Sequence, residues 1–309
     1  MKYPFSSAIL TESGGYVYPA ADKCIYCGET DGLTREHIVP YGLFGDLILP
    51  SGSCKACAKI TSGLEAFVQQ RMLGIHRRKF GFPSQSGKKR RGLRDEKFKI
   101  HAHVINADGT KNQIELKQGE YPFYFWALPV FDLPGLTIQP PIRTEFVPDH
   151  MKCVVSHEDA LTVLQLGGGI LPVRMPSLVY HQQKFTRFLA KMAHAYAIAT
   201  IGEGSFKPVL TEFIRDGIGE PRMFVGGETE LSASKAEVFS IALGSILRTD
   251  GKLLLAAQIR LLAYMGTPSY IVVVGQGFDD DIMALKHCSY AKSIKITITG
   301  QDGAELFST

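Results

Sequence analysis

CIYCGETDGLTREHIVPYGLFGDLILPSGSCKAC, residues 24–57, decides how the chain is read. Cys24-Ile-Tyr-Cys27 and Cys54-Lys-Ala-Cys57 are two C-x-x-C knuckles with 26 residues between them. Four thiolates suit Zn²⁺, which accepts tetrahedral soft ligation, and short knuckles turn backbone amides toward the sulfurs. With all four positions filled by sulfur, the ion has no open site. Cys24, Cys27, Cys54 and Cys57 therefore predict a structural staple and not a catalytic metal. Two unrelated cysteine pairs are the alternative, but paired knuckles at this separation favour a shared ion.

Between the knuckles stands Thr34-Arg35-Glu36-His37-Ile38-Val39-Pro40. A carboxylate directly before a histidine, then two β-branched residues and a proline, suggests the end of a hairpin strand with neighbours facing opposite sides. The second knuckle leads into AKITSGLEAFVQQRMLG, a helical stretch. If that helix starts at the knuckle, Thr61 and Glu65 fall near the face of Ala58.

This ordered set resembles the HNH endonuclease family, the ββα-metal nucleases, over about residues 24–95, under a third of the chain. The resemblance implies a role for each matching residue. His37 takes the place of the general base that activates water against a phosphodiester, a task suited to an imidazole titrating near ambient pH. Glu36 helps hold one divalent ion, Mg²⁺ or Mn²⁺, at the scissile phosphate. Asp46 stands where the family has an asparagine that buttresses the loop beneath the histidine, and an aspartate cannot donate as an amide does. Ala58 replaces the last metal ligand of the family and offers no ligand atom. Glu65 can supply that oxygen, or it can merely form pairs on the helix surface.

Next along the chain is a basic stretch. Between Arg71 and Lys99 lie eleven Lys/Arg against two acids, a local charge of +9 in a chain whose net charge is +4. Arg71, Arg77, Arg78 and Lys79 sit late on or just after the expected helix, and Lys88, Lys89, Arg90 and Arg91 form a run. Such a segment is either a solvated face or a phosphate-binding one, and beside a nuclease-like motif it predicts contact with a nucleic-acid backbone, DNA favoured, with little base readout.

The wider sequence sets the frame. A chain of 309 residues with 45% hydrophobic content suits two domains, and the expectation is α+β. A zinc-stapled ββα module with a basic tail occupies 1–98, and a larger α+β domain with an antiparallel sheet occupies 99–309. Gly81–Lys99, rich in Gly, Pro, Ser and charge, marks the linker. Ser177–Ile201 reads as a helix, with Phe185, Phe188, Leu189, Met192, Tyr196 and Ala197 at three- and four-residue steps. A shorter helix is expected over Pro208–Arg215. Lys99–Ile105 and Gln113–Lys117 read as a hairpin and Tyr121–Leu128 as an aromatic strand. Glu237–Leu247, Leu253–Ala263 and Ser269–Val274 read as a meander, with a further strand at Ile294–Ile298.

Other signals are weaker. Gly167–Gly169 and Gly226-Gly227 lack the context of a phosphate loop and read as turns. His194 and Tyr196 read as core, Cys153 and Cys288 as buried thiols, and Asp279–Asp281 as a solvated helix start. No run of about 18 apolar residues predicts a membrane span, and the N-terminus lacks a signal-peptide core, so a cytoplasmic location is expected. The functional expectation is a metal-dependent endonuclease, with residues 99–309 regulating it as in restriction or defence effectors. The alternative is a non-catalytic zinc module that binds nucleic acid. The sequence leaves the oligomeric state open.

Overall fold

A computed structural model describes residues 16–84, 100–105, 108–116, 124–138, 150–156, 169–172, 179–228, 237–276, 289–293, 297–299 and 305–308. Helices are joined to antiparallel sheets, which makes the fold α+β. In chain order the strands are β1 (Tyr16–Val17), β2 (Leu33–His37), β3 (Leu47–Cys54), β4 (Ile100–Ile105), β5 (Lys111–Leu116), β6 (Tyr124–Val130), β7 (His150–Ser156) and β8 (Gly169–Pro172). They continue as β9 (Lys207–Pro208), β10 (Val225–Glu228), β11 (Glu237–Leu247), β12 (Leu253–Leu261), β13 (Ser269–Gln276), β14 (Ser289–Ser293), β15 (Thr297–Thr299) and β16 (Glu305–Ser308). The α-helices are α1 (Lys55–Phe67), α2 (Gly74–Lys79), α3 (Gln182–Ile201), α4 (Thr211–Asp216) and α5 (Pro221–Phe224).

The chain divides into two compact units, and neither respects the boundary expected near residue 98. The first unit comprises Met1–Ala66, Pro129–Lys152 and His181–Thr309; the second comprises Phe67–Leu128 and Cys153–Tyr180. The knuckle segment therefore folds with the C-terminal sheet and not with the basic tail. The physical reason lies in α3, whose side chains reach both the knuckle segment and the sheet.

In the first unit, β2 and β3 form the antiparallel hairpin expected around the Glu-His strand, with His37 opposite Ile48 and Glu36 opposite Leu49. β1 adds to β3 in parallel, and α1 starts directly after Cys54, where the second knuckle predicted a helix. The larger sheet has the order β10-β13-β12-β11-β14, with β9 also on β13. Its centre is the expected antiparallel meander. β13 is buried along nearly its whole length, as its unbroken apolar run Tyr270–Val274 requires, and Tyr270 donates from its hydroxyl to the Pro129 carbonyl at 2.8 Å.

α3 is the structural centre of this unit. The residues picked out by its periodicity are buried, but so are Ala190, Lys191, Ala193, His194 and Ala195 between them. The stretch Phe188–Ile198 is thus buried on every side and must be covered from more than one direction. Phe185 packs edge-on to Tyr270 of the sheet at 5.3 Å, while His194 reaches the Ile25 carbonyl of the first knuckle at 2.8 Å. Each fully buried phenylalanine here contributes about 1.5–3 kcal/mol of transfer free energy.

Several boundaries shift. The expected helix at Pro208–Arg215 is α4, starting at Thr211, because Lys207-Pro208 instead pairs with β13 at the sheet edge, where a proline is tolerated. Gly226-Gly227 is no turn but part of β10. A Cβ at Gly226 would lie 2.3 Å from the Pro134 nitrogen and one at Gly227 2.8 Å from the Phe131 oxygen, so the pair admits a close backbone approach. Of the strand expected at Ile294–Ile298, Thr297–Thr299 is seen as β15. Gly169 opens β8, and Asp279–Asp281 and Cys288 lie outside the described residues.

In the second unit, one π-helical turn at Val68–Met72 leads to α2. The buried ring of His76 packs on Phe80 and Phe82 at centroid distances of 4.5 and 5.6 Å. Burial alone pushes its pKa down to about 3. The expected hairpin is β4–β5, closed by Asp108, whose carboxylate accepts from the Thr110 amide at 2.9 Å, and β8 completes a three-stranded sheet.

Candidate metal centre and carboxylate–lysine site

The first knuckle is shaped by its own backbone. The Gly28 amide donates to the Cys24 carbonyl at 2.8 Å, and the Cys24 amide donates to the Glu29 carbonyl at 2.7 Å. In the second knuckle the Cys57 amide approaches Cys54 Sγ at 3.5 Å, which holds the Cys54 thiol down at about 7. Burial pushes the Cys57 thiol up. All four sulfurs lie within 4.8 Å of one another, and Cys27 and Cys54 are 3.7 Å apart. Sulfurs at about 2.3 Å around a tetrahedral ion stand roughly 3.8 Å apart, so the donor set fits one metal ion and is far too open for a disulfide. Cys24, Cys54 and Cys57 are buried and Cys27 is exposed. The four cysteines can hold a metal ion, as their spacing predicted.

At the other end of the hairpin, β2 and β3 are bulged: Arg35 stands against Pro50, Ser51 and Gly52. Ser51 adopts a φ of 55°, and a Cβ on Gly52 would lie 2.8 Å from Glu36 Cβ. The bulge lets the backbone of β3 close over Glu36, which is buried. Its neighbour His37 is half-buried, consistent with the opposite facing expected of a strand. Burial lowers the His37 pKa below its ordinary value, and the Lys191 charge adds to this against the opposing pull of Glu65 and Glu36. A neutral imidazole near pH 7 results.

Glu36 and Glu65 do converge, although 29 positions separate them in the sequence. They meet on Lys191 of α3. Its Nζ lies 2.7 Å from Glu36 Oε1 and 2.7 Å from Glu65 Oε1. It also donates to the His37 carbonyl and, at 3.3 Å, to the Ile38 carbonyl. The Lys191 side chain is wholly buried, Glu36 is 5% exposed and Glu65 20%. Burial pulls the Lys191 pKa down, but the two carboxylates outweigh it and the net shift is upward, so the ammonium keeps its charge. Tyr26, buried beside them, has its phenol held well above the usual range by burial and by the Glu36 and Glu65 charges. The carboxylate pair is thus a poor fit for the divalent ion that the family resemblance implies, since an ammonium fills the position between them.

The remaining expectations divide. Asp46 does not face the histidine loop with its carboxylate. It accepts from the Tyr290 hydroxyl at 2.8 Å and pairs with Lys292, both on β14, and so ties the hairpin to the large sheet. Ala58 lies on α1, where its carbonyl accepts from the Thr61 hydroxyl at 3.3 Å. His194 is a core residue, as expected; burial lowers its pKa, and its Nε2–H donates to Ile25. In the basic stretch, Arg71 is exposed, while Arg77 donates to the Gln69 and Pro83 carbonyls at 3.0 and 2.8 Å. Arg78 is half-buried, and Lys79 ends α2. Lys88, Lys89, Arg90 and Arg91 lie outside the described residues. Cys153 falls on β7.

Lys191 is the residue that sequence reading missed. A signal existed: Lys191 stands between Ala190 and Met192, midway along the apolar stripe of the helix, where a charge must be brought to a partner. The chain matches no family model, no curated protein and no solved structure. Among the described residues, no helix is long and apolar enough to cross a membrane.

Proposed function

We propose that this protein is a zinc-stapled HNH-type endonuclease that hydrolyses phosphodiester bonds in nucleic acid, DNA favoured, with His37 as general base. The carrying observation is the local architecture: a β2–β3 hairpin running through the second knuckle into α1, with a half-buried imidazole at the end of β2 beside a charged cluster. In this reading Zn²⁺ is the ion of the four-cysteine site and acts only as a staple. His37 accepts a proton from water as the water oxygen adds to phosphorus, and the ester P–O bond breaks with its oxygen taking a proton from solvent. Exposed Arg71 and the basic run at 88–91 supply contact to the phosphate backbone.

The test is cleavage of plasmid DNA and of RNA by zinc-loaded protein, with and without added Mg²⁺ or Mn²⁺. His37→Ala is expected to lower the rate by about 10²-fold or more, and cleavage unchanged in that variant defeats the assignment.

A second reading, a non-catalytic zinc module that docks nucleic acid, is favoured by Ala58 in place of a ligand and by Lys191 between the carboxylates. Salt-sensitive binding in a gel shift, with no turnover under any ion condition, selects it.

A further inference from the structure

We propose that the ammonium of Lys191 is the resident cation of the Glu36–Glu65 site, standing where a divalent ion would otherwise sit, so that the site orients His37 without binding Mg²⁺ or Mn²⁺. Four oxygens surround Nζ: one each from Glu36 and Glu65, and the carbonyls of His37 and Ile38. That is an oxygen cage of the kind a hard cation takes, but the carboxylate contacts are 2.7 Å, hydrogen-bond lengths for a charged pair and not the roughly 2.1 Å of Mg²⁺ to oxygen.

An ion cannot enter without expelling Nζ, and Nζ has nowhere to go. Lys191 is wholly buried within Phe188–Ile198, a stretch of the helix whose every residue is buried, so retreat would strand its charge in the interior. Two of its bonds grip the backbone at His37 and Ile38, which fixes the end of β2 from which the imidazole projects. Lys191 does not reach solvent and so does not touch substrate. It is a positioning residue, acting through the backbone of His37.

The catalytic consequence rests on the nuclease reading above; the ion-binding consequence does not. Zinc-loaded wild-type protein titrated with Mn²⁺, followed by electron paramagnetic resonance, is expected to show no saturable site below about 1 mM. Lys191→Ala vacates the cage and leaves both carboxylates, so it is expected to bind one Mn²⁺ at least about tenfold tighter than wild type and to gain melting temperature on adding the ion. Adding Glu36→Gln to Lys191→Ala is expected to abolish both effects.

A wild-type chain that binds one Mn²⁺ tightly and loses it in Glu36→Gln overturns the proposal. If Lys191→Ala does not fold, the wild-type titration alone decides. Cleavage by the wild type is expected to be the same with and without added Mg²⁺, and a strict Mg²⁺ requirement also overturns the proposal. No cleavage under any condition defeats the nuclease reading and leaves the Mn²⁺ result standing.

Discussion

The sulfurs of Cys24, Cys27, Cys54 and Cys57 and the carboxylates of Glu36 and Glu65 both gather potential negative charge within one compact unit, but only the carboxylates meet a cation that the chain itself supplies. The sulfur cluster is soft, formed from two short-range knuckles, and calls for an ion from solution. The oxygen cluster is hard, formed over long range, and is closed by a tethered ammonium. The difference teaches that converging acidic side chains do not by themselves define a metal site: what already stands between them decides. It also predicts two kinds of stability, one sensitive to a chelator and one sensitive only to mutation.

The largest effect should come from stripping the sulfur cluster. Structural zinc contributes on the order of 10 kcal/mol of apparent folding free energy in small modules, so a strong chelator or Cys57→Ser is expected to abolish the cooperative melting of the hairpin and α1. A circular dichroism melt unmoved by chelation would break the comparison.

Next in size is a buried base whose pKa burial lowers. His76 has a folded pKa of about 3 against an unfolded value near 6.5. The unfolded chain therefore takes up the proton first as pH falls. The stability attached to neutral His76 is complete above pH 6.5 and drains between about 6.5 and 3, by roughly 4–5 kcal/mol at most. Urea midpoints across that range should fall less steeply in His76→Leu than in wild type.

Lys191→Met comes third. Removing the cation leaves a buried carboxylate and a mostly buried one facing each other, a loss of about 3–5 kcal/mol in chemical denaturation without added divalent ion. Combining it with Glu36→Gln and Glu65→Gln should recover most of that loss. A triple variant no more stable than the single one would show that the lysine acts through packing and not charge.

The smallest effect belongs to the Asp46 clamp. Asp46 and Lys292 are 19% and 20% exposed, and water already screens part of their pairing. Tyr290→Phe, which removes one hydrogen bond to Asp46, should cost about 1 kcal/mol in the same assay.

Much of the first unit was legible because its signals are local. The knuckles, the β2 strand ending at His37, the start of α1 after Cys54 and the β11–β13 meander all depend on spacings of a few residues, which sequence periodicity and turn chemistry express directly. The hidden parts depend on distant partners. Glu65 reads from sequence as either a metal ligand or a surface pair, and the structure pairs it inward with a lysine 126 positions away. Asp46 looked like a buttress from its position before Leu47, but its partners Tyr290 and Lys292 lie about 245 positions on. Composition places a boundary near residue 98, whereas the compact units follow packing, and α3 packs against both the knuckle segment and the sheet. A glycine pair in a strand beneath Phe131–Pro134, as at Gly226-Gly227, has the same local signature as a turn.

The seating of Lys191 against Glu36 and Glu65 also has a bearing on how the protein is made. Residue 65 leaves the ribosome 126 residues before its partner, an interval of roughly 6–25 s at ordinary elongation rates. Throughout that interval Glu36 and Glu65 lack the lysine that pairs with both, and the arrangement proposed for His37 is incomplete. In the nuclease reading, a polypeptide that stops before the long helix therefore lacks the lysine that fixes the backbone of His37.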